Sequence, residues 1–259
     1  MRIIRAHDYQ HMSRQAANIL SAQVILKPNS VLGLATGSSP EGTYRQLIEW
    51  EKRGDVSFQH VQTVNLDEYV GLSATHPQSY ASFMRQHFFD HIRIDAGNTH
   101  IPNGMADDAE AECRRYTDTI RKLGGIDLQL LGLGPNGHIG FNEPDDVFQK
   151  HTHRVTLTDA TIQANKRFFA SEADVPHFAY TMGICDIMQA RRIVMVVSGR
   201  GKADILRQAF FGPVTPRVPA SILQLHTDFT LVADEEALSA ISASDWTAEA
   251  AEIPTRTSF

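Results

Sequence analysis

The feature that most constrains this chain is a regular alternation of short, unbroken apolar runs with stretches of helical periodicity. Residues 30–35 (Ser-Val-Leu-Gly-Leu-Ala) read as a buried strand. Residues 40–53 follow as a helix, with Tyr44, Leu47 and Ile48 at i, i+3, i+4 spacing. Val61 to Leu66 gives a second strand, and His76 to His91 and Asp107 to Leu123 give helices. Asp127 to Leu133 is a third strand and Ile193 to Val197 a fourth. Gly201 to Phe211 is again helical, and Phe229 to Val232 is a last strand. Continuous apolar strands separated by helices predict a mostly parallel sheet covered on both faces. The first strand is expected near residue 31, after one helix only. No repeat, low-complexity tract or Pro/Gly/Ser-rich linker divides the chain, so one domain over residues 1–259 is expected. A chain of 259 residues buries enough surface to be stable without disulfides or metal. Cys113 and Cys185 are too few for a disulfide scaffold.

Charge narrows the partners. Lys+Arg total 24 against 30 Asp+Glu, a net charge of −6. That balance argues against nonspecific binding to nucleic acid or to an anionic membrane, yet leaves room for a local basic pocket. No apolar run approaches the roughly 20 residues of a membrane span. The first eight residues lack the apolar stretch of a signal peptide, which makes the cytoplasm the expected location.

In such sheets ligands bind at the carboxyl ends of the strands. The first strand runs into Thr36-Gly37-Ser38-Ser39-Pro40. Ser39 is expected as the helix N-cap and Pro40 at the first helical position. Such a turn suits an anion, phosphate above all, and equally suits an ordinary capped junction. The second strand ends in Asp67-Glu68, a position for a general base or for a turn cap. The third runs into a loop holding Gly132, Gly134 and Gly137. This has the form G-x-G-x-x-G, but Pro135 lies inside it and Pro144 follows closely, so it does not open the helix of a dinucleotide site. It reads instead as an active-site loop carrying His138 and, five residues on, Glu143. Histidine suits proton transfer near neutral pH, and a nearby carboxylate can orient it. Arg167 and Lys202 are two cations that could complete an anion site from separate segments. His87 with His91, and His151 with His153, offer too few convergent ligands, so no metal is expected. Cys113 sits mid-helix among charged neighbours, a poor place for a nucleophile, and Phe83, Met84 and Phe88 read as core.

Taken together, five motifs resemble the glucosamine-6-phosphate deaminase (isomerase) family. They are residues 34–40 (LATGSSP), 65–71 (NLDEYVG), 76–80 (HPQSY), 137–144 (GHIGFNEP) and 221–226 (SILQLH), in the family's order over nearly the whole chain. The resemblance implies a three-layer α/β sandwich of modified Rossmann-like type. It implies hydrolytic conversion of an amino sugar phosphate, glucosamine 6-phosphate, to fructose 6-phosphate and ammonia, without metal or organic cofactor. It implies Asp67 as the enolising base, and His138 as the ring-opening group held by Asn136 and Glu143. Thr36, Gly37, Ser38, Ser39, Arg167 and Lys202 would hold the phosphate. Two departures stand out. Many members carry Asp where this chain has Asn136; an amide can orient His138 but cannot take up a proton. Hexameric members bind N-acetylglucosamine 6-phosphate through a Ser, an Arg and a Lys shortly after the Asn-Glu-Pro motif, and the nearest positions here are Asp146, His153 and Val155. Activity without that activation is therefore expected. A galactosamine 6-phosphate deaminase stays open, because C4 stereochemistry is not readable from these motifs. A 6-phosphogluconolactonase would follow Gly-His with a Ser-Leu-Phe-Pro-like run. A sugar-phosphate sensor would need an N-terminal helix-turn-helix. Monomer and homo-oligomer both stay open.

Overall fold

The structure is a computed structural model that describes residues 1–158, 162, 163, 166, 169, 174–242 and 245. The chain opens with a strand that the sequence reading did not anticipate. This β1 (Arg2–Ala6) pairs in parallel with the final strand of the sheet. Its apolar run is only Ile3-Ile4 between two arginines, and its residues are mostly half-exposed, as fits a sheet edge. An 18-residue helix, α1 (Tyr9–Leu26), follows, with the Asp8 side chain accepting from the His11 N–H at 2.8 Å as its N-cap.

Then come β2 (Val31–Leu34), α2 (Ser38–Arg53), β3 (Gln62–Asn65), β4 (Asp67–Tyr69), α3 (Tyr80–His87), β5 (Thr99–His100), α4 (Ala109–Lys122) and β6 (Leu128–Gly132). The chain continues through β7 (His153–Thr156), β8 (Phe178–Thr181), α5 (Ile184–Met188), β9 (Arg192–Val197), α6 (Ala203–Phe211) and β10 (Phe229–Asp234). Seven strands form one sheet in the order β1-β10-β9-β6-β2-β3-β5, every neighbouring pair parallel. The expected mostly parallel, Rossmann-like α/β sheet is present.

Side-chain alternation sends successive residues of each strand to opposite faces. Leu128, Leu130, Val194 and Val196 pack under α1, α2 and α3 with Leu20, Tyr44, Leu47 and Met84. Leu131, Met195 and Val197 pack under α4, α5 and α6 with Tyr116, Ile187 and Leu206. These are the three layers, and Met84 and Phe88 are core as expected. Leu32, Leu34 and Leu130 are fully buried, each contributing roughly 1.5–3 kcal/mol of apolar transfer.

Three local expectations are corrected. The helix foreseen over His76–His91 is α-helical only over Tyr80–His87, with a 3-10 turn at Phe89–His91. Pro77 disfavours helical geometry at its predecessor, and Ser79 starts the helix by accepting from the Ser82 N–H. Helix α2 begins at Ser38 with Gly37 in the cap position, so Ser39 and Pro40 lie in its first turn. Finally, the strand expected through Leu66 ends at Asn65, and the chain crosses into a second sheet. That sheet is antiparallel, in the order β4-β8-β7. Leu66 bridges the two: its N–H donates to Leu34 O in the large sheet, and its carbonyl accepts from Met182 N beyond β8.

Candidate active site

Strand order reverses between β2 and β6, since the chain builds outward from each in opposite directions. There the loops diverge and leave a crevice at the carboxyl ends. A cavity of about 470 Å³ opens at this point. It is lined by the turn after β2 (Thr36 to Ser39), Asp67 after β3, Gly134 to His138 after β6, and Lys202 after β9. Thus Asp67, Asn136, His138, Lys202, Thr36, Gly37, Ser38 and Ser39 share one cavity. Glu143 lies behind His138, on the wall of an adjoining cavity of about 310 Å³. Arg167 lies outside the described residues.

Asp67 is buried, and its Oδ1 has no hydrogen-bond partner. Burial pushes its carboxyl up from 3.8 to about 8, with the neighbouring Glu68 charge adding to the rise. A buried acceptor with nothing to accept is expensive to keep, and such groups mark sites of chemistry. Glu68 points the other way along β4, toward a separate cavity. Burial raises it to about 7, offset by the N–H groups of Tyr80, Ala81 and Tyr69 that it accepts at 2.8–2.9 Å. It thereby ties the start of α3 to the strand that carries Asp67.

The loop after β6 holds its histidine from both sides. The His138 N–H donates to Asn136 Oδ1 at 3.2 Å, and the His138 carbonyl accepts from Gly134 N at 2.9 Å. The Asn136 amide donates to Glu143 Oε2, and Glu143 Oε1 lies 3.1 Å from His138 Nδ1. That approach is close enough for charge attraction without forming a hydrogen bond at Nδ1. Turning the Asn136 amide over would set its NH2 against the His138 N–H and its oxygen against the carboxylate, two repulsions, so the network fixes its orientation.

Glycine is required where this loop folds tightly. A Cβ at Gly134 would lie 2.1–2.4 Å from atoms of the His138 ring. Gly140 has φ 59°, and a Cβ there would lie 2.8 Å from Thr181 Oγ1 and 3.4 Å from Asp67 Oδ2. Thr181 Oγ1 in turn accepts from the Phe141 N–H, and Asn142 Nδ2 donates to Met182 O. The His138 loop is therefore docked on the small sheet beside Asp67.

Lys202 faces the cavity with its Nζ donating to Leu133 O at 2.7 Å, and burial pulls its pKa below the ordinary lysine value. A dianionic ligand would offset that penalty by favouring the charged form, and the Gly37–Ser39 turn adds the N-terminus of α2 as a second attraction. Tyr9 braces that turn, donating to Ser38 O and accepting from Gly42 N, both at 2.8 Å. Sequence reasoning gave no role to Tyr80, which lines the cavity with its ring parallel to Phe141 at 5.9 Å. The available signal was its place in the motif at residues 76–80 (HPQSY).

The three positions after the Asn-Glu-Pro motif carry no lysine or arginine. Asp146 pairs with Arg217, His153 Nδ1 contacts His151 O at 2.9 Å, and Val155 and His153 line the smaller cavity.

The chain is 60% identical over 232 residues to a glucosamine-6-phosphate deaminase of Lachnoclostridium phytofermentans, covering 90% of this chain and 98% of that one. A second, from Thermoanaerobacter pseudethanolicus, is 54% identical over 245 residues, covering 95% and 97%. A solved monomeric glucosamine-6-phosphate deaminase superimposes with a TM-score of 0.90 at 48% identity, covering 93% of this chain and 100% of that one. The 6-phosphogluconolactonase of Trypanosoma brucei, at 16% identity and a TM-score of 0.73 over 93% of this chain and 98% of that one, shares the fold. A family model described as glucosamine-6-phosphate isomerases/6-phosphogluconolactonase matches residues 7–232, and the chain belongs to that family.

Proposed function

We propose that this protein converts glucosamine 6-phosphate and water to fructose 6-phosphate and ammonia. One observation carries the reading: an unpartnered, buried Asp67 carboxyl shares a cavity with the Asn136–Glu143–His138 network and with Lys202.

The substrate rests mostly as a closed ring. Opening it moves a proton from O1 to O5, and His138 is the shuttle, steadied by the Glu143 charge and by Asn136. Neutral imidazole takes the O1 proton, and the resulting imidazolium returns it to O5. Asp67, ionised, then takes the C2 proton while the substrate's ammonium passes a proton to O1, giving an enolamine. Its elevated pKa suits this step, because a stronger base near the working pH removes a weakly acidic proton more readily. Returning the proton to C1 yields a ketimine, and water adds at C2 to release ammonia, a hydrolytic cleavage of the C–N bond. The Thr36–Ser39 turn, Lys202 and Arg167 hold the phosphate, whose binding anchors the reacting carbons from a distance. No step calls for a metal or an organic cofactor. A phosphorylated sugar is confined to the cell interior by its charge, and we accordingly assign the enzyme to the cytoplasm.

An ammonia-release assay with glucosamine 6-phosphate tests the reading, run beside galactosamine 6-phosphate and a phosphogluconolactone. Ammonia from the first substrate is expected. An inactive wild type, or hydrolysis of the lactone instead, would overturn the function. Full activity in Asp67→Asn would overturn the role of Asp67.

A further inference from the structure

A second buried carboxylate, outside the cavity, has a use the reaction itself does not explain. Asp234 ends β10 and is 3% exposed. Parallel pairing sets Ala233 level with Val197, so Asp234 stands beside Ser198, where β9 turns into the segment bearing Lys202. The carboxylate accepts from the Ser198 hydroxyl, from Gly199 N at 3.0 and 3.1 Å with its two oxygens, and from Ala237 N at 2.8 Å. Among the described residues it forms no ion pair, so its donors are all neutral. Two of the three lie in the two residues that lead into the 3-10 turn Arg200–Lys202. Gly199 then closes that turn by accepting from Lys202 N at 3.0 Å.

We propose that Asp234 is a positioning residue for phosphate binding: by clamping Ser198 and Gly199 it aims Lys202 into the cavity. The inference rests on the reading of Lys202 as a phosphate ligand. A lysine has four side-chain torsions, and its ammonium serves as a phosphate anchor only if its stem leaves the backbone in a fixed direction. Helix α6 fixes the far side of the turn, starting at Ala203. On the near side, the hydrogen bonds that hold Ser198 and Gly199 by a side chain go to Asp234. Alanine in its place would leave the Ser198 hydroxyl and Gly199 N without their acceptor, whereas an amide can keep both contacts, its oxygen facing Gly199 N and its NH2 donating to the Ser198 hydroxyl, which also accepts.

The test is a double-mutant cycle on kcat and KM for glucosamine 6-phosphate, with Asp234→Ala, Lys202→Ala and the pair. Asp234→Ala is expected to raise KM about tenfold and to leave kcat within about twofold. In the Lys202→Ala background the same change is expected to add nothing. Equal rises in KM in both backgrounds would overturn the proposal and leave Asp234 a structural residue. An unchanged KM in Lys202→Ala alone would overturn the phosphate reading itself, and the proposal with it, in a comparison that never touches Asp234. Should Asp234→Ala fail to fold, Ser198→Ala removes one donor and leaves the carboxylate. It is expected to raise KM about threefold with Lys202 present and not with Lys202 absent; an unchanged KM in the presence of Lys202 would overturn the proposal.

Discussion

The raised Asp67 carboxyl makes the folded protein carry a cost that depends on pH, and removing that carboxyl should reveal it. In an unfolded chain an aspartate titrates near 3.8; here the folded value is about 8. Between these values the native state holds a proton that the unfolded chain has released. Stability therefore falls as pH rises through this window, and the full penalty is present above about 8. The gap corresponds to a ceiling on the order of 5 kcal/mol at high pH, reduced by whatever water the open cavity admits to the ionised group. Asp67→Asn keeps the shape and deletes the charge. At pH 4, where Asp67 is protonated, variant and wild type should unfold at nearly the same urea midpoint. At pH 9 the variant should be more stable by roughly 2–4 kcal/mol, allowing for that relaxation. The same substitution should abolish ammonia release, so a gain in stability would accompany the loss of function. Urea unfolding of both proteins at pH 4, 6 and 9, followed by intrinsic fluorescence, decides the matter. A stability difference that is constant with pH, or that favours the wild type at pH 9, would refute the reasoning.

Three further outcomes are expected. Since the base must be ionised, kcat/KM should rise tenfold per pH unit below about 8 and at pH 6 stand near 1% of its plateau; Glu68→Gln, which removes the neighbouring charge, should move that limb to lower pH, and an unmoved limb would exclude the coupling. Gly134→Ala should push the His138 ring out of place and lower kcat about 100-fold with little change in the melting temperature, as measured by steady-state kinetics and calorimetry. Velocity should depend hyperbolically on glucosamine 6-phosphate, and saturating N-acetylglucosamine 6-phosphate should change neither kcat nor KM, because no cation occupies Asp146, His153 or Val155; a sigmoidal curve relieved by that compound would contradict this.

Much of the architecture was legible because buried parallel strands carry strong signals. Residues 31–35 (Val-Leu-Gly-Leu-Ala) carry no polar side chain, and four leucines among residues 127–133 outweigh Asp127 and Gln129. β1 escaped notice since an edge strand needs little hydrophobicity, and Arg2 and Arg5 mask its short core. The small antiparallel sheet escaped for a different reason. β4 is three residues long and two of them are acids, so nothing local marks it as a strand. Its pairing with β8 joins residues more than a hundred positions apart, and tertiary contact overrides local preference there. Asp67, Asn136 and His138, which line one cavity, were legible as residue types at strand ends. That Glu143 backs the histidine from an adjoining cavity depends on how the Gly134–Gly140 loop folds, which spacing alone does not specify. The buried role of Glu68 as anchor for α3 was hidden, because an acid beside another acid at a strand end more often caps a turn.

The crossing at Leu66 divides the machinery between two frames. In the proposed reaction the grip on the ester tail, Lys202 and the turn after β2, is rooted in the seven-stranded sheet. The groups to which that proposal gives the proton transfers are rooted in or pinned to the three-stranded one, through β4 for Asp67 and through Thr181 and Met182 for the histidine loop. A rigid sugar phosphate laid across the junction thus acts as a gauge of the spacing between the sheets. Shortening or lengthening that span by a fraction of an ångström would spoil turnover while leaving each half of the apparatus intact.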